Sequence, residues 1–500
     1  MENIVRFGFL KIIMITIIVL FCISMLFIFL YSIAQAQLVF RYIKAKRKKA
    51  NPLTVNIEPL VTIQLPVYNE RYVVERLIDA VLKMNYPKNK LEIQVLDDST
   101  DDTTSIISDK IQAARENGFD IVHIHRVNRV GYKAGALKEA MDIAKGEFIA
   151  IFDADFIPDA FFLRNTLSHF TNDKIGMVQT RWEHLNKEYS LLTKLQAFGL
   201  DAHFTIEQKG RNVGGSFINF NGTAGIWRKS CIYDAGNWHA DTLTEDFDLS
   251  YRAQLNGWKF VYLEDITSPA ELPPVMGAIK SQQYRWTKGG AENARKLLWK
   301  VMKSDISLNT KFHAFFHLMN SAVFISIILS ALLSVPMLLL KPVFPEYKQL
   351  LNALGIFLFS FVVIGFLYFV SSLSTAKKNE GGVRYFFKTF PMFLMVSMGL
   401  SLHNAIAVIE GYVGRKSPFI RTPKFNVLSK NDKWENNNYI GYRISLLTVM
   451  EGVLALYFLF GIIKGLLLRD FSLLIYHAML FVGFSIVFYY SVFQSKYSNQ

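Results

Sequence analysis

Apolar residues are spread very unevenly along this chain of 500 residues, and that unevenness limits what it can fold into. Residues 12–34, IIMITIIVLFCISMLFIFLYSIA, carry no charge and exceed the roughly 20 residues that cross a bilayer as a helix. Further runs of spanning length fall at 318–340, 350–373, 444–468 and 471–494, and none lies between about 50 and 310. The expected plan is an N-terminal transmembrane anchor with a basic flank (1–50), a water-facing domain (51–310) and a C-terminal α-helical transmembrane region (311–500). Composition agrees. With 51% hydrophobic residues, 42 Phe and a mean hydropathy of +0.22, the chain is too apolar for an ordinary soluble protein of this length.

Charge sets the expected orientation. Ala34-Gln35-Ala36 imitates a cleavage site, but the apolar run is longer than a signal core and RYIKAKRKKA follows it, so an uncleaved anchor is expected. Lys44, Lys46, Arg47, Lys48 and Lys49 place that flank on the cytoplasmic side and the N-terminus outside. The segment 383–411 is apolar but interrupted by Arg384, Lys388, Pro391, His403, Asn404 and Glu410. Reading it as an interfacial amphipathic helix keeps the basic loop 412–440 in the cytoplasm and gives five spans. A sixth crossing would export that loop. The formal net charge of +14 gathers at 41–49 and in juxtamembrane loops, which points to anionic lipid head groups and away from nucleic acid. Cys22 and Cys231 are the two cysteines, so neither a disulfide framework nor a thiolate metal cluster is expected.

Within 51–310, LVTIQLPVYNE, LEIQVLDD, DIVHIHR and EFIAIFDAD read as short β-branched strands separated by amphipathic stretches. This order predicts βαβ units and a Rossmann-like, mostly parallel α/β sheet. Ligands of such sheets bind beyond the carboxyl ends of the strands, where Asp97/Asp98 and Asp153/Asp155 fall.

Those strand ends carry the chemistry. FDADF separates Asp153 and Asp155 by one residue, so in extended backbone both carboxylates lean to one side. Paired hard oxygens suit Mg²⁺ or Mn²⁺ shared with a diphosphate, although a solvated turn or helix cap uses the same residues. Asp97 and Asp98 directly follow IQVL, are expected in the cleft, and strengthen the ligand reading. Asp101 and Asp102 fall where the next helix begins and are expected to favour its dipole by about 0.3–1 kcal/mol. In TLTEDFDLSYR, Glu245, Asp246 and Asp248 precede an amphipathic helix. One of them can act as general base on an acceptor hydroxyl; capping by Thr244 and Glu245 is the plainer alternative. In QQYRW, Arg285 can grip a phosphate through two N–H groups and Trp286 offers an apolar or stacking face; a surface helix with a buried Trp is the plainer alternative.

PVYNE, DDST, GYKAGALKE, FDADF, FNGTAG, TEDFDLSYR and QQYRW, in this order, resemble the processive family-two glycosyltransferases. The likeness is greatest to the plant cellulose synthase-like A and C proteins, which make mannan or glucomannan and the glucan backbone of xyloglucan; bacterial cellulose synthase subunits are more distant. It covers about residues 55–300 closely and loosens toward the C-terminus. The resemblance implies a cytoplasmic GT-A domain with Tyr68, Glu70 and Asp97 or Asp98 around the nucleotide base and ribose. It puts Lys133 near the diphosphate, although cellulose synthases usually have His where this chain has Tyr132. Asp153 and Asp155 would be the DxD pair, Asp155 the surer metal ligand, and Asp246 of TED the catalytic base with Glu245 beside the acceptor. Gln282, Arg285 and Trp286 of QxxRW would hold the diphosphate and the acceptor end. Phe220, Asn221, Gly222 and Thr223 stand where cellulose synthases place a finger on the terminal sugar. FIRTPK resembles their FxVTxK gating loop through Phe419, Thr422 and Lys424, with Arg421 in place of Val.

The implied reaction is an inverting transfer from UDP-glucose or GDP-mannose to a growing β-1,4-linked glycan, assisted by Mg²⁺ or Mn²⁺, with the product advancing between membrane helices. Room is left for an accessory subunit. The alternatives are a sugar transferase acting on a polyprenyl phosphate, which has no need of QxxRW, one acting on a diacylglycerol acceptor, and a non-enzymatic scaffold or membrane channel.

Overall fold

The computed structural model describes residues 2–47, 54–55, 57–376, 381–435, 439 and 444–495; Lys48 and Lys49 of the expected basic flank lie outside them. All four expected strands form: β1 (Val61–Val67), β2 (Leu91–Asp97), β3 (Asp120–His125) and β4 (Phe148–Ile151). They pair in parallel, with Val61 opposite both Leu91 and Phe148. Successive residues point to opposite faces. Phe148 and Ala150 join Ile63 and Phe162 on one side, and Ile149 and Ile151 join Leu137 and Trp227 on the other. A sheet covered on both faces favours near-continuous apolar strands, which β4 is; β2 is buried throughout but alternates, and its Glu92 and Gln94 are hydrogen-bonded to Thr62 and Gln64 of β1.

Three further strands, β5 (Ile175–His184), β6 (Gly225–Arg228) and β7 (Lys259–Ala270), complete a seven-stranded sheet in the order β3-β2-β1-β4-β6-β5-β7. β6 runs antiparallel to both neighbours. It therefore starts at the edge where β4 ends, and the segment leading into it, FNGTA, arrives beside Asp153.

The first helix, Glu2–Arg47, outlasts its apolar run. Leu38, Val39 and Tyr42 are buried in a cluster with Ala202 and Ile206, Tyr42 donates to Glu264 at 2.7 Å, and Gln35 donates to Glu207 at 2.8 Å. Glu207 sits on a π-helical turn, His203–Gln208.

Among the described residues five helices are long and apolar enough to cross a membrane: Phe7–Arg47, Asn320–Leu340, Pro345–Thr375, Leu446–Leu467 and Leu474–Ser495. The region expected as one helix over 383–411 is instead a pair, Gly382–Gly399 and Ser401–Val413, bent by 51°, which makes a sixth if the pair is one span. Arg384 and Lys388 are exposed, but His403 and Asn404 face another helix. Asn404 donates to Gln283 at 2.7 Å and the His403 ring meets the Lys280 carbonyl at 3.0 Å, so both dock the helix Met276–Lys303 that carries QxxRW.

Candidate active site

One cleft collects the strand ends. Tyr68 and Glu70 follow β1, Asp98 follows β2, and Asp153 and Asp155 follow β4; Lys133 starts the helix Tyr132–Met141, and Asn221 and Gly222 precede β6. Glu245 and Asp246 open the helix Glu245–Leu255, and Gln282, Arg285 and Trp286 come from the QxxRW helix.

Its floor is paired charge. Lys133 Nζ lies 2.5 Å from Asp153 Oδ1 and donates to the Gly222 carbonyl at 2.8 Å. Gly222 has φ +80°, and a Cβ there would stand 3.1 Å from Asp246 Oδ2 and 3.4 Å from Lys133 Nζ. Glycine thus lets the backbone pass between the acid and the amine. Burial pulls the Lys133 ammonium down, but Asp153 and Glu245 outweigh it and hold the group above the usual lysine value. Burial, and then the charge of Glu245, pushes the Asp246 carboxyl well above the carboxylate range.

A loop that leaves the helix Ser401–Val413 closes the cleft. The Phe419 ring stacks on Tyr132 and lies under the Arg285 guanidinium, and Arg285 donates to Thr422 Oγ1 at 2.7 Å. Lys424 Nζ is 2.7 Å from Asp155 Oδ2. Arg421, where the loop departs from FxVTxK, lies 3.0 Å from Glu70. Burial pushes Glu70 up to about 7, with Arg421 and Lys424 pulling against it. The cavity left is about 190 Å³, below the roughly 300–1,000 Å³ of ordinary small-molecule sites, so a ligand of that size requires the loop to withdraw.

Several expected residues stand elsewhere. Asp98 lines the cleft, but Asp97, one residue earlier and so on the opposite face, is fully buried behind it. There Asp97 accepts from the Ser99 N–H and meets the rings of His123 and His125 at 3.0 and 3.1 Å. Burial acts to raise its carboxyl, yet the His123 and Ser99 hydrogen bonds win and hold it well below its ordinary value. Of the expected finger, Asn221 and Gly222 line the cleft. Phe220 is a core side chain against Trp227, and Thr223 is buried where its Oγ1 accepts the Asp153 N–H at 2.9 Å. Asp102 pairs with Arg71 at 2.9 Å, while Asp101 accepts the N–H of Thr103, the first helical residue. Thr244 makes no side-chain cap; its Oγ1 accepts from Asn293.

Sequence reasoning passed over two arginines. Arg126 clasps Asp98 with two bonds of 2.7 Å, and the Arg129 guanidinium lies 3.2 Å from the centre of the Tyr68 ring. The signal was available: a buried carboxylate needs a counter-charge, and Arg126 directly follows the strand beside β2.

Residues 59–289 match the family model "Glycosyltransferase like family 2". This segment is similar to the family-two glycosyltransferases. The glucomannan 4-beta-mannosyltransferase 7 of Arabidopsis thaliana is 40% identical over 313 residues, 59% of this chain and 56% of that protein. The glucomannan 4-beta-mannosyltransferase 1 of Oryza sativa subsp. japonica is 42% identical over 268 residues, 52% of this chain and 51% of that protein. The chain thus spans about half the length of the curated relatives it matches. In the solved structures, the mannosyltransferase PcManGT from Pyrobaculum calidifontis, in complex with GDP-Man and Mn²⁺, superposes with a TM-score of 0.53 at 17% identity, covering 79% of this chain and all of that one. The α/β domain therefore has the GT-A fold.

Proposed function

We propose that the chain is a membrane-embedded inverting glycosyltransferase that extends a β-1,4-linked mannan, glucomannan or glucan from GDP-mannose or UDP-glucose and passes the product between its membrane helices. The observation that carries this reading is the convergence of Asp246, Lys133, Asp153 and Arg285 on one cleft. The names of the plant relatives favour mannosyl transfer.

Asp246 takes the proton of the acceptor hydroxyl. The freed oxygen forms a bond to the anomeric carbon from the face opposite the nucleotide, and the bond from that carbon to the diphosphate breaks, so an α-linked donor gives a β-glycoside without a covalent enzyme intermediate. Lys133 and Arg285 balance the negative charge that grows on the departing diphosphate in a preorganised site. Trp286, Asn221 and Gly222 face the acceptor, and Tyr68, Glu70 and Asp98 face the nucleoside. Asp153 and Asp155 offer hard oxygens one residue apart, each already neutralised by an ammonium group, a donor set that fits Mg²⁺ or Mn²⁺. Such an ion, when bound, supplies charge neutralisation of the diphosphate.

The test is incubation of the protein in lipid nanodiscs with radiolabelled GDP-mannose, UDP-glucose or both, plus Mn²⁺ or Mg²⁺. The product is then digested with β-1,4-mannanase and β-1,4-glucanase. A label that extracts wholly into organic solvent is a glycolipid and overturns the polymer reading.

A further inference from the structure

The covering loop is held differently at its ends and in its middle. At the first end, Lys288 is fully buried on the QxxRW helix, one turn past Arg285. Its Nζ donates to Ser417 Oγ at 2.8 Å and to Tyr284 OH at 3.2 Å, and lies 3.4 Å from Glu410. Tyr284 donates to the same Glu410 carboxylate, so this end is tied both to the QxxRW helix and to the helix that the loop leaves. At the other end, Glu271, 3% exposed just beyond β7, accepts three successive backbone N–H groups: Phe425 at 2.9 Å, Asn426 at 3.0 Å and Val427 at 3.4 Å. Asn426 has φ +53°, and its left-handed turn aims those N–H groups at one carboxylate, as in an anion-binding nest. Arg76 donates to Asn426 Oδ1 at 2.7 Å and lies 3.7 Å from Glu271. Phe425 and Val427 are buried with Val275 and Ala278, against the start of the QxxRW helix.

Between these ends the contacts are of another kind. Phe419, Arg421, Thr422 and Lys424 reach cleft residues through their side chains, and those partners are the groups that a nucleotide and a cation would claim. Lys288 does not line the cleft; Glu271 borders it, but both of its oxygens are engaged by the loop backbone.

We propose that Lys288 and Glu271 are positioning residues that pin the loop at Ser417 and at 425–427, so that the part which withdraws to admit a donor and closes over it is residues 418–424. This rests on reading the cleft as a donor site. It narrows the mobile lid from the whole basic loop to seven residues, and it makes the helix carrying Arg285 one of the lid's two supports.

Hydrogen exchange followed by mass spectrometry on the full chain in nanodiscs, with and without GDP or UDP plus Mn²⁺, tests it. In the unsubstituted protein the peptides over 414–417 and 425–428 should keep the same protection whether or not nucleotide is present, while 418–424 changes. Glu271→Ala should speed exchange at 425–428 by about tenfold or more and leave 414–417 alone, and Lys288→Met should do the reverse. Protection of β1 to β4 in the same data shows that each variant is folded, and Glu271→Gln, which keeps one carbonyl acceptor, should fall between. Turnover should drop in both variants while Mn²⁺ affinity holds, because a lid with a loose end has more freedom to lose on closing. Nucleotide-linked exchange of 412–435 as one block, or unchanged exchange at the ends in both variants, overturns the pins. Absence of nucleotide protection around Tyr68 and Glu70 sinks the donor-site reading instead, and the ends are then judged from the nucleotide-free data.

Discussion

Lys424 Nζ lies 2.7 Å from Asp155 Oδ2, so the carboxylate proposed to hold a divalent cation is already paired with a cation of the chain itself. Metal and lysine then compete for one site, and metal entry is tied to release of the loop. Lys424→Met should tighten apparent Mn²⁺ affinity by about three- to tenfold, equivalent to ~0.7–1.4 kcal/mol, read by titration of the Mn²⁺ electron spin resonance signal. Weaker binding in the variant would show that Lys424 supports the cation and does not exclude it.

Asp246→Asn should cut transfer by about 10²- to 10⁴-fold, the usual span for a general base, and leave nucleotide affinity within a factor of about two. The base must be ionised to accept a proton, and burial beside Glu245 raises its carboxyl. Activity should therefore rise with pH along a limb that lies above the ordinary carboxylate range. Glu245→Gln removes the neighbouring charge that raises Asp246, so it should move that limb to lower pH. A limb that stays in place detaches it from Asp246.

Lys280, two residues before Gln282, meets Glu451 of the helix Leu446–Leu467 at 2.6 Å, and Glu451 is fully buried. Removing one partner strands the other charge, at a cost of about 3–5 kcal/mol. Lys280→Met and Glu451→Leu should each lower the thermal midpoint in detergent, and the double variant should recover most of the loss. Additive losses would show that the two do not act as a pair.

Ser429 is exposed beyond the second end of the loop, and the five-span reading keeps it in the cytoplasm. A cysteine at Ser429, in a chain with Cys22 and Cys231 replaced, should react with a membrane-impermeant thiol reagent only after lysis. Labelling of intact cells would mean that the bent helix pair crosses the bilayer and that the loop is cut off from a cytoplasmic cleft.

The parts of the fold legible in the sequence were those with a clear apolar pattern. β4 (FIAI) is apolar throughout, as a strand buried on both faces tends to be, while β1 (VTIQLPV) and β2 (LEIQVLD) alternate β-branched or Leu residues with polar ones. β6, with four residues and antiparallel neighbours, offers too short a pattern to read, yet it is what brings Gly222 to Asp246. In the site, Asp246, Lys133 and Asp153 line one cleft, whereas Asp97 and Asp98 part company because adjacent residues at a strand end face opposite ways. Phe220 belongs to a motif but packs as core. Arg421 read as a departure from the loop pattern, and its partner Glu70 lies some 350 residues away in the chain, a pairing that only three dimensions disclose.

The first helix bears on how the molecule is made. Its last turns, through Leu38, Val39 and Tyr42, form part of the wall against which Ala202 and Ile206 pack, and synthesis delivers that wall before any of the sheet. Chains fold N-terminal parts first as they emerge, so the α/β domain is completed against a surface that is made before it. A soluble fragment starting near residue 51 would lack that surface and would leave the half-buried carboxylate of Glu207 without Gln35. The first helix is in this sense a piece of the interior of the α/β domain as well as one of the five described helices long and apolar enough to cross a membrane.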